Sequence, residues 1–390
     1  MTTESPKSRT DRAAQPPVFG MGADRLSAPT WPPLTEDEIG SAVAATWGGP
    51  EPAAVEWRSP RPLSSTVGVR LSDGAQVVVK RLPLRLRDLA ALAEEHRFMA
   101  YLRDRGIPVP EVRAATGAEF AGLGGRTPGA APARTGGGFV YEVQRAGAGE
   151  DRYRADFSWT PYDNATDAAA AGRMLARLHL AAVGFDAPAR PARLLVADLP
   201  AAEAVGIVEW HLARRPALAR FLADRDWRAE IPALRADLTG IDPLWTHGDW
   251  HPTNLLWTRK TVTTVFDFGL ADRTTAVFDL ATAIERAVVD WVSIRDGGPA
   301  HIREDQLRAL IQGYRSVRPL SGAEQRLLAD LLALVHIGYE LSEIDYFLSL
   351  AGVPRNAEIA YQDWLLGHLA WFRTRAGREL LALVRDAAAG

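Results

Sequence analysis

The stretch Trp245-Thr246-His247-Gly248-Asp249-Trp250-His251-Pro252-Thr253-Asn254-Leu255-Leu256-Trp257 decides how this chain is read. Apolar runs of strand character flank a polar centre, so the sequence predicts a loop held between short strands. The Asp249 carboxylate can orient an attacking hydroxyl and accept its proton, and the amide oxygen of Asn254, five residues on, can hold a metal ion beside it. A strand-like run from Thr263 to Phe266 then delivers Asp267-Phe268-Gly269, which puts a second carboxylate at a strand end. Asp279-Leu280-Ala281 opens a helical pattern, where an acid can brace the preceding loop. One rival fits the same letters. Alternate residues of a strand share a face, so His247, Asp249 and His251 could also form the metal face of a hydrolase, although Gly248 and Pro252 suit a loop better.

Outward toward the N-terminus the pattern changes from helical to extended. Strands are expected at Val55–Arg58, Ser65–Leu71, Gln76–Arg81 and Gly138–Gln144, with Ser72-Asp73-Gly74 as a hairpin turn. Thr35–Trp47 reads as a helix with Thr35 as N-cap and Glu38 completing a capping box. Arg87–Arg105 reads as a second helix closed by Gly106. Met1–Pro33, rich in Pro, Ser, Thr and charge, is expected to be a disordered tail without a secretory signal. The stretch 117–138 is expected to be a mobile Gly/Ala-rich loop, and Ala146-Gly147-Ala148-Gly149 a flexible connector. Strands crowd the first third and helices the remainder.

Taken together, His-Gly-Asp-x-His-x-x-Asn-x-Leu, Asp-Phe-Gly and Asp-Leu-Ala resemble the aminoglycoside phosphotransferase superfamily, which includes choline-kinase-like and homoserine-kinase-like enzymes. The resemblance covers roughly residues 35–385 and is specific at 245–285. It implies an α+β, bilobal protein-kinase-like fold: an N-lobe at 34–141 with an antiparallel sheet and one helix, a hinge at 142–149, and a larger, mainly helical C-lobe at 150–390. It implies Asp249 as catalytic base, Asn254 and Asp267 as Mg2+ ligands, and His247 and Asp279 as residues that hold the loop. It also implies a strand lysine paired with a helical acid, here Lys80 and Glu95, because Glu95 stands seven residues before Leu102. Ser64, Ser65 and Thr66 would face the phosphates, where a glycine-rich loop stands in protein kinases. Backbone groups at Glu142, Val143 and Gln144 would take the nucleotide base, which leaves ATP and GTP equally suitable.

The acceptor is expected between the catalytic loop and the C-terminal helices, bordered by Trp250, His251, Trp291, Tyr339, Glu340, Glu343 and Tyr346. Acids there suit an amine-bearing molecule and aromatics suit a sugar or base face. The expected activity is transfer of a nucleotide γ-phosphate to a hydroxyl of an antibiotic-like compound. The alternatives are metabolic phosphorylation of an amino alcohol such as homoserine or choline and, more remotely, the metal-dependent hydrolase. Asp272, just beyond the glycine of Asp-Phe-Gly, is expected to be a surface acid.

Composition removes other classes. A net charge of −3 gives no global attraction to nucleic acid or anionic lipid. The absence of cysteine excludes disulfides and thiol chemistry. None of the three lysines, Lys7, Lys80 and Lys260, follows a glycine, which excludes a Walker A loop. No apolar run approaches the roughly 18 residues of a membrane span. A cytoplasmic enzyme, monomeric or homodimeric, is expected. Because the other 42 of its 45 cations are arginine, a lysine inside an apolar strand calls for a chemical reason.

Overall fold

The computed structural model describes residues 31–59, 63–113, 138–156, 158–191, 193–291 and 301–390. The expected tail up to residue 30, the Gly/Ala-rich stretch 117–137 and Pro62 lie outside the described residues. The first helix, α1 (Glu36–Trp47), begins at the expected capping box: Glu38 N donates to Thr35 Oγ1, and Thr35 N donates to Glu38 Oε2. Four strands follow, β1 (Pro52–Arg58), β2 (Ser65–Leu71), β3 (Gln76–Pro83) and β4 (Phe139–Arg145), in one antiparallel sheet of order β1-β2-β3-β4. Between β3 and β4 lies α2 (Leu89–Arg103), capped by Asp88.

Period-two alternation gives the sheet two chemically different faces. Val67, Val69, Val77, Val79, Tyr141 and Val143 point to one side and bury against Ile39, Val43 and Trp47 of α1. Glu38 ties that helix to the sheet, accepting from Tyr141 Oη at 2.6 Å and Arg81 Nη1 at 2.7 Å. The opposite side carries Thr66, Val78, Lys80 and Gln144 into a cavity, with Thr66 paired to Lys80 and Lys80 to Glu142 in the strand register.

The remainder is mainly helical: α3 (Ala165–Ala182), α4 (Ala276–Val288), α5 (Glu304–Arg315), α6 (Gly322–Leu331), α7 (Val335–Tyr346) and α8 (Arg375–Ala389), with shorter helical segments between them. Two antiparallel ribbons sit at its front, β5 (Pro243–Thr246) with β8 (Asp272–Thr275), and β6 (Leu255–Thr258) with β7 (Thr261–Val265). This is the protein-kinase-like arrangement, sheet first and helices after.

Two expectations about the link between the halves need correction. Glu142–Gln144, expected both as the end of a strand and as the start of the hinge, is strand alone, because β4 pairs with β3 as far as Arg145. Nor is the connector loose. Ala148 O accepts from Thr263 Oγ1 and Thr264 Oγ1 at 2.7 and 2.8 Å. Glu150 and Trp257 exchange backbone hydrogen bonds at 2.7 and 3.0 Å. Gly149 has φ +116°, and a Cβ there would lie 3.0 Å from the Trp257 backbone, so glycine is required by the docking rather than by mobility.

Candidate active site

The loop after β5 is built around a buried acid. Asp279, in the first turns of α4, takes Gly248 N on Oδ1 at 2.9 Å and His247 N on Oδ2 at 3.0 Å. Its Oδ2 also meets His179 Nε2 at 3.0 Å, and the other nitrogen of that ring meets Tyr314 Oη at 2.7 Å. His247 is fully buried; Nε2 donates to Phe266 O, and Nδ1 accepts from Asp249 N. With both nitrogens committed to the backbone, His247 cannot join Asp249 and His251 in a metal face. Gly248 is required by geometry, since its φ is +75° and a Cβ would sit 2.3 Å from Leu270 O. The turn aims Asp249 into the cavity.

Asp249 has an imidazole and a guanidinium beside one oxygen and an amide on the other. His251 Nε2 and Arg286 Nη2 each lie 3.3 Å from Oδ1, and Asn254 Nδ2 donates to Oδ2 at 3.1 Å. Burial alone would push this carboxyl up, but His251 and Arg286 hold it well below the ordinary carboxylate range. Its ionised form is therefore favoured. Because Asn254 spends its NH2 on Asp249, the amide oxygen is the end of that side chain suited to a cation.

Asp267 ends the turn after β7 in the left-handed conformation, φ 60° and ψ 69°. Lys80 Nζ donates to Asp267 Oδ1 at 3.0 Å. Burial opposes charge on both partners, yet each holds the other ionised: the lysine is pushed up and Asp267 down. The Asp249 charge works against Asp267, so two carboxylates repel across this end of the cavity. The Asp267 carboxylate and the Asn254 amide oxygen, with the Asp249 charge close by, fit a hard divalent cation such as Mg2+.

Several expected residues stand elsewhere. Glu95 does not pair with Lys80: its Oε1 is held by Arg87 Nε at 3.0 Å and Arg190 Nη1 at 2.7 Å. Two guanidinium groups have outcompeted the ammonium, which turns to Asp267 instead. Glu142 likewise points inward, to His96 Nε2 at 2.7 Å and Gln144 Nε2 at 2.9 Å. Glu142 and Val143 are buried within the sheet, and the cavity wall runs through Gln144, Arg145, Ala146, Gly147 and Gly149. Ser64 and Thr66 face the cavity with hydroxyls 3.1 Å apart. Ser65, one residue out of phase, does not.

The far end of the cavity, whose volume is about 390 Å3, is lined by His251, Arg286, Tyr339, Glu340, Glu343 and Trp159. Burial pushes Glu343 up to about 7 despite the hydrogen bond from Tyr339 Oη, and it pushes Glu340 well above its usual value. Trp250, Trp291 and Tyr346 are buried and do not reach this cavity. Trp291 packs on His368 and Trp371, and its Nε1 donates to Glu285 O. Helical spacing alone could not separate residues that face the core from residues that face a cavity. Asp272 is no surface acid. It is buried, and its Oδ1 accepts from Arg190 N at 2.8 Å, which anchors the segment before it.

Arg286 was not singled out from the sequence. It lies seven residues after Asp279, two turns along the same face of α4, and that spacing is the signal available. Its guanidinium also covers the Trp159 ring at 4.1 Å and the Tyr339 ring at 5.0 Å, joining this wall of the cavity to Asp249.

Comparison with known proteins identifies the family and supports the fold. A family model described as a phosphotransferase enzyme family matches residues 62–320. A homoserine kinase of Azorhizobium caulinodans is 27% identical over 221 residues, 55% of this chain and 61% of that protein. Another, of Gluconacetobacter diazotrophicus, is 31% identical over 217 residues, 51% of this chain and 60% of that protein. The chain thus spans about three fifths of the length of these curated relatives. Among solved structures, an amicoumacin kinase in complex with AMP-PNP and Ca2+ aligns with a TM-score of 0.54 at 15% identity, covering 90% of this chain and 94% of that one. A microcompartment-associated aminopropanol kinase aligns at 0.51 and 17% identity, covering 89% and 98%.

Proposed function

The chain belongs to this phosphotransferase enzyme family, and on that premise we propose that it moves the γ-phosphate of ATP or GTP to a hydroxyl of an amine-bearing small molecule, with Asp249 as the base. One observation carries the reading. A single cavity brings the Lys80–Asp267 pair together with the ionised Asp249, and an acid-and-aromatic wall continues beyond Asp249.

Lys80, on the sheet face opposite α1, would bind the phosphates, and Ser64 and Thr66 would offer hydroxyl donors above them. Asp267 and the Asn254 oxygen would hold Mg2+, which on binding neutralises charge on the transferring phosphoryl group. Asp249 would orient the acceptor hydroxyl and take its proton; Asn254 Nδ2 and Arg286 fix its carboxylate plane. Glu343 and Tyr339 would meet an ammonium group. Antibiotics and simple amino alcohols both present that chemistry. The relatives named homoserine kinase support the amino alcohol, and the structural neighbour named amicoumacin kinase supports the antibiotic.

The test is nucleotide turnover with Mg2+ against aminoglycosides, other amine-bearing antibiotics, homoserine and simple amino alcohols, with product phosphorylation read by mass. Asp249→Asn should lower kcat by about 10²–10⁴ while nucleotide binding is kept. Retention of more than about a tenth of kcat would remove Asp249 from the role of base.

A further inference from the structure

Behind the acceptor wall, four buried polar side chains from three helical segments converge without hydrogen bonds of acceptable geometry. Glu285 comes from α4, His336 and Glu340 from α7, and His368 from the short helix His368–Trp371. None is more than 3% exposed. Among the described residues, Glu285 Oε1, Glu340 Oε2, His336 Nε2 and both nitrogens of His368 have no hydrogen-bond partner. Yet His368 Nε2 stands 2.8 Å from Glu285 Oε1, and His336 Nε2 stands 2.8 Å from Glu340 Oε1. The donor atoms of Glu285, His336 and His368 all lie within 4.8 Å of one another.

Such an arrangement is costly for ordinary polar groups. A buried nitrogen or carboxylate oxygen without a well-directed partner loses its hydration and gains little in return. The two imidazole rings lie close together, with centroids 4.4 Å apart and planes inclined by 32°. Trp291 lies 4.1 Å from the His368 ring and Trp159 meets the His336 ring edge-on at 4.9 Å, closing the cluster to water. The His336 ring is also held by the backbone of Trp364, the kind of outer contact that orients a metal-binding imidazole.

We propose that Glu285, His336 and His368 form a three-ligand site for Zn2+, separate from the Mg2+ site beside Asp249. Two imidazole nitrogens and a carboxylate oxygen are a zinc donor set, and the Glu340 carboxylate, 2.8 Å from His336 Nε2, adds a second negative charge beside the ion. Ligands about 2.1 Å from a tetrahedral ion stand about 3.4 Å apart, so the three donor atoms, all within 4.8 Å of one another, need only draw together to hold it. The ion joins α4, α7 and the C-terminal helical segment, and the burial of all three ligands makes its role structural.

The experiment uses the full chain purified without chelators from zinc-supplemented cells. Elemental analysis should find about one zinc per chain. Glu285→Gln and His368→Gln should each lower this below about 0.2, whereas Asp267→Asn should leave it unchanged. Stripping with a zinc-selective chelator should lower Tm by at least about 5 °C, with recovery on adding Zn2+ but not Mg2+. Because the substitutions can impair folding, Co2+ is also added to stripped wild-type protein, where the visible bands of four-coordinate cobalt should develop at one equivalent. Less than about 0.1 transition metal per chain together with a Tm indifferent to zinc would overturn the proposal. Zinc retained by folded Glu285→Gln and His368→Gln, or cobalt bands of six-coordinate type, would overturn it equally.

Discussion

Glu95→Gln tests how the two halves of the molecule are joined. The carboxylate is buried and shared by two buried guanidinium groups, at 3.0 Å from Arg87 and 2.7 Å from Arg190. Arg87 also donates to the carbonyls of Leu194 and Leu195, and both arginines reach Gly269 O, so this acid balances cations that cross between the sheet and the helical half. Removing the charge leaves two desolvated cations, with Glu94, 3.8 Å from Arg190, as the remaining anion paired to them among the described residues. Breaking a buried ion pair on one side costs about 3–5 kcal/mol. Glutamine keeps an acceptor oxygen, so the lower end, about 3 kcal/mol, is expected. Urea unfolding followed by tryptophan fluorescence should show the midpoint falling by about 1 M at an m-value near 3 kcal/mol/M. Nucleotide KM should change less than about threefold in the folded variant, because Lys80 is held by Asp267. A midpoint shift below about 0.3 M with a tenfold rise in nucleotide KM would refute this, and would return Glu95 to Lys80.

Three further outcomes follow from the same contacts. Lys80→Met should raise nucleotide KM by at least about tenfold while costing less than about 1 kcal/mol of stability, since the pair it breaks is partly exposed; a silent substitution would remove Lys80 from the phosphate site. Gly248→Ala should cost at least about 3 kcal/mol, combining a left-handed backbone with a contact against Leu270 O, and a thermal midpoint within 2–3 °C of wild type would mean the loop yields easily. Burial opposes charge on Glu38, but Thr35 N, Tyr141 and Arg81 hold its pKa below 4.5, so its contribution is complete above that value and is lost as pH falls below it. Glu38→Gln should therefore lower Tm at pH 7 and converge with wild type in acid, and a constant difference across pH would refute that linkage.

What could be read from the letters was the part whose partners are close in sequence. The capping box at Thr35 and Glu38, the β2–β3 hairpin and the loop from His247 to Asn254 are local, and the structure builds them as spacing implies. Contacts set by distant segments were not legible. Arg190 reaches Glu95 across 95 residues, and no pattern near either announces it. The Glu142 side chain is another case, since its partner, His96, lies 46 residues away on α2. Trp250, Trp291 and Tyr346 show the other limit. Aromatic residues on a buried face satisfy the same periodicity whether they meet other rings or a cavity.

The docked connector constrains how this chain can change over generations and in the laboratory. Ala148 and Glu150 are registered against β6 and β7 by paired backbone and hydroxyl contacts, so one added residue between Ala146 and Glu150 would displace that register as surely as an insertion inside a strand. The usual tolerance of interdomain joints for fusion, permutation or linker lengthening is therefore absent here. Gly147 carries the same message, since a Cβ there would lie 2.4 Å from the Thr264 side chain. The joint behaves as an axle seated in its bearing, and a library that randomises its length would recover the native spacing.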